Sequence, residues 1–173
     1  PVAKEFQVEL ARFEESCKEI KFPVIVKPTD NGGSRGITIC YDTSQLREGI
    51  DYALSFSASK QYIVEEFIQG HEVTSYFTVA DGRAVCSSIF DKYARIGKDG
   101  INTLPDAYFY PSSCADYFMK NHCNDVIRMI EGIGIRNGVI SLQSFMRDGG
   151  GMAIFEMGFR LGGTSSFHYT KRF

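Results

Sequence analysis

Four stretches of this sequence carry polar side chains that packing alone does not require. The first is Val26-Lys27-Pro28 followed by Asn31-Gly32-Gly33-Ser34-Arg35-Gly36. Glycines at a loop tip let backbone N–H groups approach phosphate oxygens, Ser34 and Arg35 add donors, and Lys27 adds a positive charge one strand-end away. A plain hairpin turn beside a solvated lysine explains the loop equally well. The loop lacks the Gly-Lys-Ser/Thr of a P-loop and the G-x-G-x-x-G of a dinucleotide turn; Gly132-Ile133-Gly134 also lacks the third glycine and reads as a helix end.

The second stretch is Glu65-Glu66-Phe67-Ile68-Gln69-Gly70-His71-Glu72. Carboxylates at a strand end are costly unless they reach solvent or bind something. Glu65 and Glu72 flank a turn, where one can accept from an adenine amino group and the other from ribose hydroxyls. For either alone, an exposed edge charge is the commoner explanation. The third is Phe90-Asp91-Lys92-Tyr93, where Lys92 either reaches a phosphate or pairs with its neighbour Asp91. The fourth joins Gln143, inside the apolar run Val139 to Leu142, to Glu156 after Ala153-Ile154-Phe155, with Arg160 beyond. Oxygen ligands on paired strands suit Mg²⁺, which prefers carboxylates, phosphates and water. The alternative is a Glu156–Arg160 ion pair.

The elements that must position these groups follow from apolar spacing and turn chemistry. Phe6, Leu10, Phe13, Cys17 and Ile20 recur at four and three residues, one stripe of an amphipathic helix that Pro23 stops. Residues 24–26 and 37–41 read as strands of a hairpin with a mobile glycine tip. Asp42 with Gln45 caps a helix whose inner face is Leu46, Ile50, Ala53 and Leu54. A strand starts at Tyr62. Residues 73–80 and 83–90 pair through Asp81-Gly82, a turn both of whose residues must accept positive φ. Residues 92–111 show no periodicity and read as a long surface loop, with Tyr93, Tyr108 and Tyr110 lining an acceptor side. Ser112 or Ser113 caps one helix carrying Tyr117, Phe118, Val126, Met129 and Ile130, and Gly132 or Gly134 ends it. Residues 138–146 and 152–157 form a last hairpin around Asp148-Gly149-Gly150-Gly151, followed by Gly158-Phe159-Arg160-Leu161-Gly162-Gly163. This order argues an α+β class.

Composition narrows the function. Nineteen Lys+Arg against 21 Asp+Glu leave a net charge of −2 over 173 residues, without the basic footprint that nucleic-acid binding needs. No apolar run is long enough for a membrane helix, and no signal peptide opens the chain. Pro1 enters helical sequence without an initiating Met, so a fragment of a longer chain is expected. Five cysteines without a C-x-x-C, and three scattered histidines, argue against zinc and against a disulfide framework. They fit buried, reduced cysteines and a cytoplasmic location. No Ser-His-Asp set is found.

Together and in this order, the four stretches resemble the ATP-grasp superfamily, specifically its carboxylate-amine ligase type and its carbamoyl-phosphate synthetase-like members. Lys27 with the glycine loop resembles the phosphate-covering hairpin. Residues 65–72 resemble E-[EK]-x-[IL]-x-G-x-E. Asp91-Lys92-Tyr93 resembles a lysine after the central hairpin, and residues 155–160 resemble the metal motif E-x-N-x-R. The resemblance implies an α+β ATP-grasp fold with two lobes and ATP bound between them. Residues 1–65 would form the small lobe and 66–173 the central antiparallel lobe. The family's N-terminal lobe would lie before Pro1 and its last helix after Phe173.

The roles implied residue by residue are these. Lys27 and Lys92 hold ATP phosphates, and Gly32, Gly33, Ser34, Arg35 and Gly36 form or support the phosphate cover. Glu65 meets the adenine amino group, the backbone of Glu66 and Ile68 meets the adenine edge, and Glu72 binds the ribose. Gln143 and Glu156 bind Mg²⁺, with Mn²⁺ as the alternative ion, and Arg160 faces the transferred phosphate. The implied reaction activates a carboxylate as an acyl phosphate for attack by an amine or similar nucleophile, releasing ADP. The implied partners are small-molecule acid and amine substrates and the remaining lobes of the same polypeptide, with a homo-oligomer left open and neither nucleic acid nor membrane. The motif's Asn falls at Gly158. The second reading is therefore a nucleotide-binding module with weakened or lost catalysis, and the third an adaptor that binds no ligand.

Overall fold

Alternation builds the first sheet. In β1 (Val24–Pro28), Val24, Val26 and Pro28 are buried while Ile25 and Lys27 turn to the other face, the period-two pattern of a strand with one face on a core. This computed structural model describes residue 13 and residues 15–96 and 102–160. It divides into two compact units: residues up to Phe67 with Arg95–Leu104, and Ile68–Ala94 with residues from Pro105 on.

In the first unit, β1 lies between β2 (Thr38–Cys40) and β3 (Tyr62–Glu66), antiparallel to both. The β1–β2 hairpin is as expected. α1 (Thr43–Phe56) is capped by Asp42, whose Oδ1 accepts from the Gln45 N–H at 2.9 Å. The Gln45 side chain returns to accept from the Tyr41 N–H at 3.0 Å, a reciprocal N-terminal cap. Leu46 and Ala53 pack with Cys17, Val24, Val26 and Cys40 into this unit's core, and Phe13, Ile20 and Ile50 border it. Phe6 and Leu10 of the expected first helix lie outside the described residues.

The second unit holds a five-stranded sheet in the order β6-β5-β4-β7-β8. Its strands are β4 (His71–Ala80), β5 (Arg83–Ile96), β6 (Asn102–Phe109), β7 (Gly138–Met146) and β8 (Met152–Gly158). Asp81 and Gly82 make the β4–β5 turn, with φ of 51° and 80°. α2 (Ala115–Asn121) and α3 (Cys123–Gly132) cover one face. There Phe118, Cys123, Val126 and Ile130 pack on Phe77, Val79, Ile89, Ile140 and Leu142. The mixture of helices and antiparallel sheets is the expected α+β class.

Two expectations fail here. The long loop over residues 92–111 is largely strand. β5 runs on to Ile96 and β6 covers Asn102–Phe109. Aromatic side chains give the pairing what periodicity did not show: the rings of Phe90 and Tyr108 meet edge to face at 5.1 Å, and those of Tyr93 and Phe109 at 5.2 Å. The single helix after Pro111 is two helices broken at His122, whose ring Nε2 sits 3.1 Å from the Gly150 carbonyl in the β7–β8 turn. Neither Ser112 nor Ser113 caps it; residue 114 holds that position with no side-chain cap bond.

Candidate functional site

β1 pairs edge to edge with β3, and Lys27 shares a sheet face with Glu65. Ile25 is registered opposite Glu65 and Lys27 opposite Ile63, so Lys27 and Glu65 are diagonal neighbours. Their charged groups meet, with Lys27 Nζ 2.5 Å from Glu65 Oε2. The solvated-lysine alternative is therefore replaced by an ion pair. Glu66, the last residue of β3, is exposed and registered opposite Val24. The Phe67 N–H donates to the Pro23 carbonyl at 3.2 Å. This leaves the backbone edges of Glu66 and Ile68 as the positions flanking that bond.

The glycine loop after β1 is tied from inside. Asn31 Nδ2 donates to the Phe56 carbonyl at the end of α1 at 3.0 Å, and Asn31 Oδ1 accepts from the Gly32 N–H and from Arg35 Nη2, both at 2.9 Å. Arg35 Nε also donates to the Gly32 carbonyl at 3.3 Å. The guanidinium of Arg35 thus supports the loop's own shape. Gly33, Ser34 and Gly36 have φ of 67°, 57° and 76°, the left-handed region in which successive N–H groups can form an anion-binding concavity. Asp30, at the loop's base, is held below its ordinary value chiefly by the Ser59 N–H, then by Ser57.

In the second unit, opposite residues of registered strands place side chains on the same face. Phe90, Thr74, Gln143 and Glu156 form one row across β5, β4, β7 and β8. Glu72, two residues before Thr74, and Lys92, two after Phe90, share that face. They form a buried ion pair, Lys92 Nζ to Glu72 Oε1 at 2.5 Å. Lys92 does not pair with Asp91, as its sequence neighbour suggested, because strand alternation sends the two to opposite faces. Gln143 and Glu156 are direct cross-strand partners, and a bulge follows at Gln143/Ser144. Phe145 and Phe155 stack beside them at 4.9 Å. Arg160, just past β8, is exposed.

Gly158 is registered opposite Ser141, on the face of Gln143 and Glu156. A Cβ at residue 158 would stand 3.0 Å from Ser141 Oγ and 3.7 Å from the Arg160 Cγ. Ser141 Oγ donates to the Gly158 carbonyl at 3.3 Å. The space that a side chain at 158 would enter is therefore bordered by a hydroxyl.

The opposite face carries a network that the sequence did not reveal. His71 Nε2 lies 2.8 Å from Asp91 Oδ1, Ser112 Oγ donates to the same oxygen, and the Ser113 N–H donates to Oδ2 at 2.9 Å. Burial would push the Asp91 carboxyl up, but the bonds from Ser112, Ser113 and His71 together hold it below its ordinary value. The signal available was a carboxylate directly after the apolar Ile89-Phe90. Its partners were not visible, since one lies 20 residues before it and the others 21 and 22 residues after it.

One carboxylate and one amide oxygen on a shared face suit a hard ion that keeps water and completes its shell from phosphate. They do not suit zinc, and among the described residues no group of three or more His, Cys, Asp or Glu is placed to hold a metal. The oxygen donors of Gln143 and Glu156 are of the kind that a hard ion such as Mg²⁺ accepts. No described helix is long and apolar enough to cross a membrane.

Comparison with known proteins places this α+β chain in the ATP-grasp class. A biotin carboxylase domain from Hydrogenobacter thermophilus, whose structure is described as containing MgADP and bicarbonate, aligns with a TM-score of 0.70 at 20% identity over 91% of this chain and 34% of its own, a likeness of fold. The profile of the family described as D-ala D-ala ligase C-terminus matches residues 2–92, just over half of the chain, and the chain belongs to that family within the ATP-grasp superfamily. A D-alanine–D-alanine ligase from Wigglesworthia glossinidia brevipalpis is 41% identical over 78 residues, 45% of this chain and 21% of the relative. The N-terminal section of the carbamoyl phosphate synthase large chain from Methanopyrus kandleri is 21% identical over 154 residues, 88% of this chain and 27% of the relative. The chain thus spans 21% and 27% of these curated relatives' length.

Proposed function

We propose that this chain is the ATP-binding portion of an ADP-forming ligase that activates a carboxylate for attack by an amine or similar nucleophile. The observation that carries the reading is the single sheet face bearing Lys92, Glu72, Gln143 and Glu156, with the last two in direct register. Family membership supports it.

In this reading Lys27 and Lys92 bind the phosphates and the N–H groups of Gly32, Gly33, Ser34 and Gly36 cover them, while Arg35 keeps the loop in shape. Glu65 accepts from the adenine amino group, the backbone of Glu66 and Ile68 meets the adenine edge, and Glu72 accepts from the ribose. Gln143 and Glu156 hold Mg²⁺, which when bound offsets phosphate charge. A carboxylate oxygen of the acid attacks the γ-phosphorus, and the bond to the β–γ bridging oxygen breaks, leaving ADP. Lys27, Lys92 and Arg160 stabilise the charge on the transferred phosphoryl group. The nucleophile then attacks the acyl carbon, and the C–O bond pair leaves with phosphate. The loop excludes water that would hydrolyse the acyl phosphate.

Titration with ATP in the presence and absence of Mg²⁺ tests this. Lys27→Ala is expected to weaken ATP binding by about 1.5–3 kcal/mol, the worth of one charged hydrogen bond. Glu156→Ala is expected to weaken binding only when Mg²⁺ is present. Failure of the unmodified chain to bind ATP would end the reading. Gly158 favours a second reading, a nucleotide-binding module with weakened turnover. It predicts ATP binding without ADP release when the complete polypeptide is supplied with acids and amines.

A further inference from the structure

We infer that the Ser141 hydroxyl serves as the third oxygen donor of the Gln143–Glu156 ion site, in place of a side chain at Gly158. The inference rests on the reading of that pair as the Mg²⁺ site and deepens it. Ser141 lies on the face of Gln143, two residues before it on β7, and is registered opposite Gly158, which lies two residues after Glu156 on β8. The four positions form a square of neighbouring Cβ directions on two strands. One corner has no side chain, and the hydroxyl at the adjacent corner, directly across the strand pair, borders that space, 3.0 Å from where that Cβ would be. Its present bond, to the Gly158 carbonyl at 3.3 Å, is long and leaves the oxygen lone pairs available. A hydroxyl suits Mg²⁺ and Mn²⁺, which take oxygen ligands. Two donors of the three are neutral, so the site has one formal negative charge and depends on the nucleotide's phosphates for the rest of its affinity.

The test is Mn²⁺ binding to the chain with a non-hydrolysable ATP analogue, followed by the loss of the free-ion EPR signal, with analogue affinity in EDTA measured in parallel. Ser141→Ala is expected to weaken Mn²⁺ binding about tenfold and leave the metal-free affinity unchanged. Ser141→Thr, which keeps the hydroxyl, is expected to match the unmodified chain. Ser141→Ala combined with Gly158→Asn is expected to recover the loss, because trimming residue 141 opens the space for an oxygen-bearing side chain on β8. A purely structural role for Ser141 would give no such recovery. Unchanged Mn²⁺ affinity in Ser141→Ala, while Glu156→Gln is weakened, would overturn the inference and leave the ion site standing. Unchanged affinity in Glu156→Gln as well would remove the site itself.

Discussion

Lys92 on β5 and Glu72 on β4 hold their charges 2.5 Å apart with both side chains largely out of water. Each charge is compensated by the other within the folded chain. Removing one partner leaves the other charge buried and unpaired, which costs about 3–5 kcal/mol, whereas replacing both with apolar groups of similar size is often near neutral. Lys92→Met and Glu72→Leu are each expected to lower the urea midpoint strongly, and the double variant to recover more than half of the loss. Additive losses would mean the charges do not depend on each other.

The glycine loop gives a contrast between two substitutions. Gly36 has a φ of 76°, and an added Cβ would lie 2.8 Å from the Phe56 Cβ and 3.2 Å from the Pro28 Cγ. Gly33 has a φ of 67° with nothing within 4 Å. Ala at residue 33 meets only the left-handed penalty of about 1–2 kcal/mol. Ala at residue 36 adds overpacking of about 1–3 kcal/mol. Thermal unfolding of the two variants checks the order, and equal losses would mean that Phe56 yields to the methyl group.

Local chemistry made much of this fold legible. The cap at Asp42, the Asp81-Gly82 turn and the alternation of β1 and β7 are all set by residues within one turn or one strand. β6 was hidden because Asn102 to Phe109 contains Pro105 and Asp106 and does not alternate cleanly; its pairing is accompanied by aromatic contacts with residues 16 and 18 positions earlier. The site was legible as residue types but not as pairs. Lys27 with Glu65, and Lys92 with Glu72, are set by register between strands, which no window of sequence contains. The same limit concealed His71, Ser112 and Ser113 around Asp91.

Asp91 should make stability depend on acid. Its carboxyl is held below the ordinary 3.8 by hydrogen bonds that outweigh its burial. The folded state therefore gives up this proton more readily than the unfolded chain. The resulting stabilisation is complete above the unfolded value and is lost as pH falls through the folded one. Asp91→Asn is expected to cost about 2 kcal/mol at pH 7 through weakened bonds to Ser112, Ser113 and His71. The gap from the unmodified chain should narrow as pH drops below about 4. A gap that stays constant down to pH 2.5 in urea titrations would show that Asp91 keeps its proton state on folding.

The thiols report on how tightly α3 sits on the second unit's sheet. Burial, then the neighbouring Cys123 thiol, pushes Cys86 up to about 12, and burial also raises Cys123. Alkylation proceeds through the thiolate, so the upward shift keeps Cys86 slow to react at pH 8. Cys114 is half-exposed at the start of α2. Iodoacetamide at pH 8 is expected to modify Cys114 first, and Cys86 and Cys123 only once the chain is unfolded, as peptide mass spectrometry would record. Loosening the neighbouring α2, which packs on the same face of the sheet, should change the order. Phe118→Ala removes a fully buried ring that packs on Phe77 at 6.4 Å between centroids, at a cost of about 3–5 kcal/mol. It should bring Cys86 labelling forward while leaving Cys40, in the other unit's core, protected. Early labelling of Cys86 in the unmodified chain would mean that the helix layer does not stay on the sheet.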